Sequence, residues 1–565
     1  MKRGIIGVLI AAACIGVSWG AYQATTSLEP ALSRYVPSGA LLYLQAKDFS
    51  SLLSDWDNSG EKQLWLKSNN YEVFSRSRLF LRLKDADAEF AKAAGVPTDA
   101  NLLGQVAGKQ SALAIFDIGK LEFLYITRLS SASSMQSTLW QTRSKFETRS
   151  AGGVTFYLRS DPESEREVAF AVTGDYLLLA TREDLLAGAL QLIAGGDARS
   201  IEAEPWWSRS VAAAGTEGDL RMVLNLEKIV PSPYFRSYWV QQNITDMKQY
   251  SAAISDLIRS GREYREERVL LRKTPATGDT PGGAGPAGVA DIVRLVPAQA
   301  GVYEATANPG PADCLALLEA KILAPHLGPG AAEKLAPQVQ LTNGETGAST
   351  DLETRIDQPP VKASVAVDSV AALNELLARN TVLAMLQVQS TELDKDGVFV
   401  RIHSAVALLG QSEWNESAVR SALVDFVRPS LTAGELGVEW QKNAGYIELN
   451  GLWTLNMAVQ GKYLLISDNA GLLAGMLANT DQKTTLKPAV FAAAFDHERE
   501  KENFARLTGL LDNSAGGAGA GSTPNFFSEN VGSLSSALAG LSSEKIVVRD
   551  AGDKVDQTVT YQWAR

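Results

Sequence analysis

Three histidines, His326, His403 and His497, and two cysteines, Cys14 and Cys314, are the whole stock of nitrogen and sulfur ligands in 565 residues. No two histidines stand at metal-ligand spacing, and neither Cys-x-x-Cys nor His-Glu-x-x-His occurs. His403 falls in an alternating strand pattern, and His497, in FDHEREKEN, sits in a charged run that reads as a solvated face. DKDG from Asp394 has half the spacing of a calcium loop but lacks the later Glu, so it reads as a β-turn. Gly-x-Ser-x-Gly, P-loop and dinucleotide fingerprints are missing, and AGGAGAG has no Lys-Ser/Thr ending. Cys314, in ADCLALLEAK, lies on the apolar side of a helix and reads as a small buried hydrophobe. A disulfide to Cys14, inside the N-terminal apolar stretch, is geometrically implausible. No catalytic, metal-binding or cofactor-binding residue is therefore expected.

One set of side chains suits recognition rather than catalysis. Trp206 and Trp207 follow Pro205, while Tyr234, Phe235, Tyr238 and Trp239 follow Pro231, all on stretches that read as loops. Exposed aromatics of this kind contact partners, peptidoglycan or lipid; the competing reading is that they plug the gap between the two domains or one end of a sheet. Asn243-Ile244-Thr245 matches a glycosylation acceptor, with nothing else to suggest a eukaryotic secretory origin.

The elements that would position these groups belong to a folded chain, 45% hydrophobic and 21% charged, of two to four domains. A net charge of −11 with no basic run argues against a nucleic-acid partner. Lys2 and Arg3 precede an uncharged run, Gly4 to Tyr22, long enough for a hydrocarbon core of about 30 Å. The expectation is an inner-membrane anchor over residues 1–24 with the body exported. A cleaved signal peptide ending at Ser18 and Gly20, or lipidation at Cys14, is the alternative.

The body carries internal matches. GDYLLLATREDLLAGAL from Gly174 returns as GKYLLISDNAGLLAGML from Gly461, at an offset of 287. RYVPSGALLY from Arg34 returns as RLVPAQAGVY from Arg294, offset 260, and YSAAISDL from Tyr250 as LSSALAGL from Leu534, offset 284. Same order and similar offsets predict two tandem homologous domains, 25–273 and 291–565. A Gly/Pro/Ala linker over 274–290 joins them, and a flexible Gly-rich loop lies at 514–524. Alternating runs such as SALAIFD, LEFLYITRL, EVAFAVTG and WTLNMAVQ predict antiparallel hairpins, and DFSSLLSDW, ASSMQSTLWQTRSKF and SVAALNELLARN predict helices. The fold class expected is α+β, each domain a mainly antiparallel sheet covered by helices. Asp48, Asp313, Thr181 and Ser467 are expected as N-caps, and Gly188 and Gly475 as points of close helix–sheet approach.

The Val-Pro-x-x-Ala…Tyr opening and the later Gly-x-Tyr-Leu-Leu strand with its helix resemble a group of exported bacterial proteins of unknown function. In that group a Leu/Val-Pro-x-x-Ala motif leads a large α+β domain behind an N-terminal membrane segment. The resemblance spans most of residues 34–565 and implies fold and location, but no activity and no functional residues. Function is expected to be that of a non-enzymatic, envelope-anchored binding or structural module. A carrier or sensor of an apolar ligand is the alternative, marked by a dry pocket of Leu, Phe and Trp. An enzyme using Asp/Glu pairs is the third reading, marked by converging carboxylates. Partners expected are an envelope protein or apolar ligand and the membrane.

Overall fold

Gly174 and Gly461 have φ of 53° and 57°, the left-handed conformation that a two-residue hairpin needs and that glycine adopts without strain. Each turn feeds a strand of the same kind, YLLLA or YLLIS, covered on both faces. The computed structural model describes residues 30–67, 71, 75–76, 78–233, 247–275, 284–326, 367–393, 400–431, 439–500 and 540–563. The uncharged run Gly4–Tyr22 lies outside them, and among the described residues no helix is long and apolar enough to cross a membrane.

The N-terminal half begins with β1 (Leu42–Ala46), α1 (Phe49–Asp57), α2 (Gly60–Leu66), α3 (Arg78–Ala94) and α4 (Ala100–Val106). Next come β2 (Ser111–Asp117), β3 (Glu122–Arg128), α5 (Ser131–Gln136), α6 (Thr138–Gln141), β4 (Glu147–Ala151) and β5 (Val154–Ser160). It ends with β6 (Glu167–Thr173), β7 (Tyr176–Ala180), α7 (Glu183–Ile193), α8 (Pro205–Ala213), β8 (Leu220–Leu224), β9 (Tyr250–Ser260) and β10 (Glu263–Arg272).

The C-terminal half opens with α9 (Ala284–Val293), β11 (Val302–Ala307), α10 (Pro311–Leu318), α11 (Val367–Asn380), β12 (Val382–Leu393) and β13 (Val400–Gly410). There follow α12 (Glu416–Leu431), β14 (Trp440–Lys442), β15 (Ile447–Asn450), β16 (Thr454–Gln460) and β17 (Tyr463–Ser467). The last elements are α13 (Ala470–Leu477), β18 (Phe491–Asp496), β19 (Leu541–Asp550) and β20 (Lys554–Trp563).

All strands join one 20-stranded sheet, and every pairing is antiparallel. From one edge the order runs β4-β5-β6-β7-β3-β2-β1-β8-β9-β10. From the other edge it runs β14-β15-β16-β17-β13-β12-β11-β18-β19-β20. The two series meet where β10 pairs with β20, from Glu263↔Gln562 to Leu271↔Lys554, with Glu267↔Thr558 at the middle. Read outward from this seam, the strand order is the same in both directions.

Period-2 alternation gives each half two buried sheet faces. In the N-terminal half, Ala112, Ala114, Leu124, Ile126, Leu178 and Ala180 pack under Leu32, Val36, Trp207 and the α7 leucines. On the opposite face, Phe170, Leu177 and Leu179 meet Phe90, Leu102, Val106 and Leu139. The C-terminal half repeats the plan, with Ala405, Ala407 and Leu465 under α9 and α13, and Val406, Leu408, Leu464 and Ile466 under α10, α11 and α12.

Several local expectations are corrected. Thr181 and Ser467 are not N-caps. Thr181 Oγ1 accepts from Phe123 N at 2.8 Å, and α7 instead has its first N–H, at Glu183, bonded to Glu167 at 2.9 Å. Asn469, not Ser467, caps α13, accepting from Leu472 N at 2.8 Å. Asp313 sits one turn inside α10 and accepts from Gly310 N, whereas Asp48 caps α1 as expected. The helix expected from Ala132 to Phe146 breaks at Ser137, whose hydroxyl accepts from Trp140 N and restarts it. Gly188 and Gly475 abut no strand: a Cβ on Gly188 would stand 3.0 Å from Pro37 Cγ, and one on Gly475 2.9 Å from Pro297 Cβ. The end of the 274–290 stretch is helical, with Val289 and Ala290 buried, because its apolar residues pack against β12. The counterpart of β9 in the strand order is β19, starting at Leu541, so the Tyr250/Leu534 match does not join equivalent strands; most of LSSALAGL, like the 514–524 loop, lies outside the described residues.

Candidate functional site

Three helices stand off the second face of the N-terminal half and leave an apolar cleft between themselves and the strands. Asp48 caps α1 and Asp99 caps α4, so both helices start at fixed points beside the sheet. Phe49, Leu53 and Trp56, spaced four and three, put the apolar side of α1 on the cleft, and Leu83, Ala86 and Phe90 do the same for α3. Leu103 and Val106 of α4 complete the roof. The floor is Leu44, Leu113, Ile115, Phe123, Leu179 and Leu220. Two lobes of about 640 and 320 Å³ lie side by side, with Leu103, Val106, Phe123 and Leu179 lining both. Volumes of this order hold small ligands.

Several polar groups on or beside the lining are already engaged. Tyr125 donates to Val106 O at 2.8 Å, and burial pushes its phenol above the usual range. Ser111 and Thr127 share a hydrogen bond of 2.7 Å, and Gln45 donates to Glu217 at 2.8 Å. Lys62, at the mouth, pairs with Asp57; Arg166 is held by Glu89 and by Lys120 O, both at 2.7 Å.

The other half carries different side chains at the same place. The cross-strand pair Leu44–Leu113 has as its counterpart the cross-strand pair Glu304–Gln387, joined by Gln387 Nε2 donating to Glu304 at 2.7 Å. Helix α10 buries Cys314 and Leu318 completely or nearly so, whereas α1, its counterpart after the first strand of each series, buries no residue. One fold position carries a hydrogen-bonded Glu–Gln pair in one half and two leucines beside an apolar cleft in the other.

Two further clusters were weighed. A polar cleft of about 750 Å³ beside α7 holds Arg82, Lys120, Arg166, Arg182 and several carboxylates. Arg182 lies 2.9 Å from Glu122 and also pairs with Asp184, so its charge is spent on neighbours. The other cluster was invisible to sequence spacing: His326 and His403 both face buried Asp468. His326 Nε2 is 3.5 Å and His403 Nδ1 3.8 Å from its carboxylate, and His403 Nε2 is 3.1 Å from Glu392. The His326 ring stacks on Trp453 at 4.2 Å, while Asp468 accepts from Ser404 N at 2.9 Å. Among the described residues no group of three or more His, Cys, Asp or Glu is placed to hold a metal ion.

Of the six aromatics expected as a recognition surface, two are described: Trp207 is buried and Trp206 half-buried. Trp206 and Trp207 lie on α8 rather than a loop; Trp207 is buried edge-to-face on Tyr43, ring centroids 4.8 Å apart, and Trp206 donates to Glu204. Pro205 at the first helical position sets that helix going, which is why a proline read as a loop marker misleads here. Tyr234, Phe235, Tyr238 and Trp239 lie outside the described residues, as do the Asp394 turn and Asn243. The cleft residues were missed, although the Phe49-Leu53-Trp56 stripe on a helix otherwise poor in apolar residues was a readable signal.

No family model matches the chain, and no curated protein matches it. Among solved structures it is similar to crystal forms of TP0453. Form I has TM-score 0.25 and 12% identity over 45% of this chain and 81% of that one. Form IV gives 0.24 and 14% over 45% and 83%, and form III gives 0.23 and 13% over 45% and 84%.

Proposed function

We propose that this is a non-enzymatic binding protein that holds an elongated apolar ligand, of the acyl-chain class, between α1, α3, α4 and the strand floor. The observation that carries the reading is the contrast at one fold position: Leu44 and Leu113 line an apolar cleft where the other half has the hydrogen-bonded pair Glu304–Gln387. A cleft whose walls are Leu, Phe and Trp, with several of its polar groups already paired, offers mainly burial of apolar area.

The body is proposed to be one ancestral unit written twice, of which the first copy kept or gained the cleft. Supporting this are the shared strand order and the matching contacts Pro37–Gly188 and Pro297–Gly475. Thr181 and Asp468 likewise each accept from the backbone N–H of Phe123 and Ser404, at 2.8 and 2.9 Å. The run Gly4–Tyr22 behind Lys2 and Arg3 supports an inner-membrane anchor with the body exported, in keeping with the Val-Pro-x-x-Ala group.

The test installs the Glu–Gln pair at the cleft floor. Leu44→Glu with Leu113→Gln is expected to weaken binding of a dansyl-labelled fatty acid about tenfold or more while leaving the urea midpoint close to wild type. A full-length protein that takes up no such probe, or a double variant that binds it equally well, overturns the reading.

A further inference from the structure

We infer that the ligand is an amphiphile with a cationic, ammonium head, its tail in the smaller lobe of the cleft and its head at the charged rim of the larger one. This rests on the acyl-chain reading above and adds the ligand's charge and direction. The smaller lobe has no charged side chain on its lining, and its Gln45 and Ser111 are bonded to Glu217 and Thr127. The charged groups all belong to the larger lobe, which carries Asp57, Asp87 and Asp99 against Lys62 and Arg166. There the polar cleft beside α7 adjoins it, with Arg166 and Thr181 lining both spaces. Strand alternation lays out the same path. Thr181 follows the floor residue Leu179 by two positions and Arg166 precedes Val168 by two, so rows of side chains on one sheet face lead from the apolar cleft to the polar one. Helix α3 does likewise, with Leu83, Ala86 and Phe90 on the apolar cleft and Arg82 and Glu89 on the polar one. An amphiphile with a buried tail sends its head to this edge.

Charge sets the head. The polar cleft holds six carboxylates, Glu89, Glu122, Glu165, Glu167, Glu183 and Asp184, against four cations, Arg82, Lys120, Arg166 and Arg182. The arginines are committed. Arg166 is 2.7 Å from Glu89, and Arg182 is 2.9 Å from Glu122 and also pairs with Asp184. Arg82 donates to Gly119 O at 3.0 Å and lies 3.8 Å from Glu89. In the larger lobe Lys62 pairs with Asp57. That leaves the exposed Lys120 to set against Asp87, Glu165 and Glu183, which make no ion pair among the described residues. Carboxylates left over around the rim repel an anionic head and attract a cationic one, the more so beside apolar walls that thin the water. An uncharged head gains nothing from them.

The experiment displaces N-phenyl-1-naphthylamine, an uncharged apolar fluorophore, from the full chain with dodecyltrimethylammonium, dodecanol or dodecanoate. Displacement that survives in the Leu44→Glu, Leu113→Gln double variant is subtracted, so that only the cleft is read. The ammonium is expected to displace the probe at about tenfold lower concentration than the carboxylate, with the alcohol between them, and the gap should close in about 0.5 M salt. Asp87→Asn with Glu165→Gln should cut that preference about threefold or more. Glu375→Gln with Asp425→Asn, at exposed positions in the other half, should leave it unchanged. Equal displacement by all three amphiphiles, or a tighter carboxylate, overturns the cationic head and leaves the acyl-chain reading standing. So does an equal loss of preference in both charge variants, which traces it to the net charge of the chain. A probe that does not bind, or that binds the double-leucine variant equally well, removes the acyl-chain cargo and the head with it.

Discussion

Cys314 is fully buried, and burial with the neighbouring Asp313 charge pushes its thiol up to about 12. Since the thiolate is the reactive species, iodoacetamide should modify Cys314 only as the protein unfolds, with labelling that tracks the urea transition by peptide mass. Rapid labelling in native buffer would contradict this packing. Asp256 is the buried acid of a bidentate pair: Arg221 Nε and Nη2 lie 2.8 and 2.9 Å from its two oxygens, and Gly218 N donates to it at 2.9 Å. The cross-strand pair Arg221–Asp256 has Ala492–Val547 as its counterpart in the other half. Asp256→Val alone strands a buried guanidinium and should cost about 3–5 kcal/mol in urea unfolding. Adding Arg221→Ala recreates the apolar pair, so the double variant should recover much of that loss. A double variant no better than the single one would show that the pair contributes through packing and not charge.

At the scale of elements, the packing of α7 and α13 explains why two short sequence motifs recur together. Each helix presents a glycine to the proline of the Val-Pro opening. Gly475→Ala, whose Cβ would lie 2.9 Å from Pro297 Cβ, should cost about 1–2 kcal/mol by differential scanning calorimetry. Both changes gain about 1 kcal/mol of helix propensity, but Gly188→Ala meets only Pro37, at 3.0 Å, and should come out near zero, whereas Gly475→Ala also meets Gln299 Nε2 at 2.7 Å and keeps its net loss. Equal losses at both positions would refute the difference. Strands were legible because alternation and glycine turns are local; SALAIFD is β2 to the residue. Helix starts at α7 and α13 were misread because a distant carboxylate, Glu167, satisfies α7, and Asn469 outcompetes Ser467. Of the cleft only the apolar stripe Phe49-Leu53-Trp56 was legible, since the opening itself depends on how far α1 stands from its floor, and no stretch of sequence encodes that distance. Nor could spacing bring His326 and His403 to Asp468, which only the strand order joins.

At the scale of the molecule, the halves are held by the β10–β20 seam, where Glu266 sits. Burial raises this carboxyl, but hydrogen bonds from Arg268 and Ser255 outweigh it and hold the group below its ordinary 4.5. The unfolded chain therefore takes up the proton at higher pH than the folded one, so the stabilisation is full above about 4.5 and is lost as pH falls through the folded value. Guanidinium midpoints from pH 7 to 3 should drop across that window, and Glu266→Gln should flatten the drop; an unchanged slope would remove Glu266 from the account. The outer edges of the sheet are guarded differently: β4 is exposed and charged, and β14 has 3 residues. The inner seam has no such guard, and that has a cost in time. Strand β10 ends at Arg272 while its partner begins at Lys554, so a ribosome adding about 5–20 residues per second needs tens of seconds between them. Throughout that interval β10 has no strand to pair with on its seam side, so a first half that folds as it emerges holds one sheet edge open until the last strand arrives.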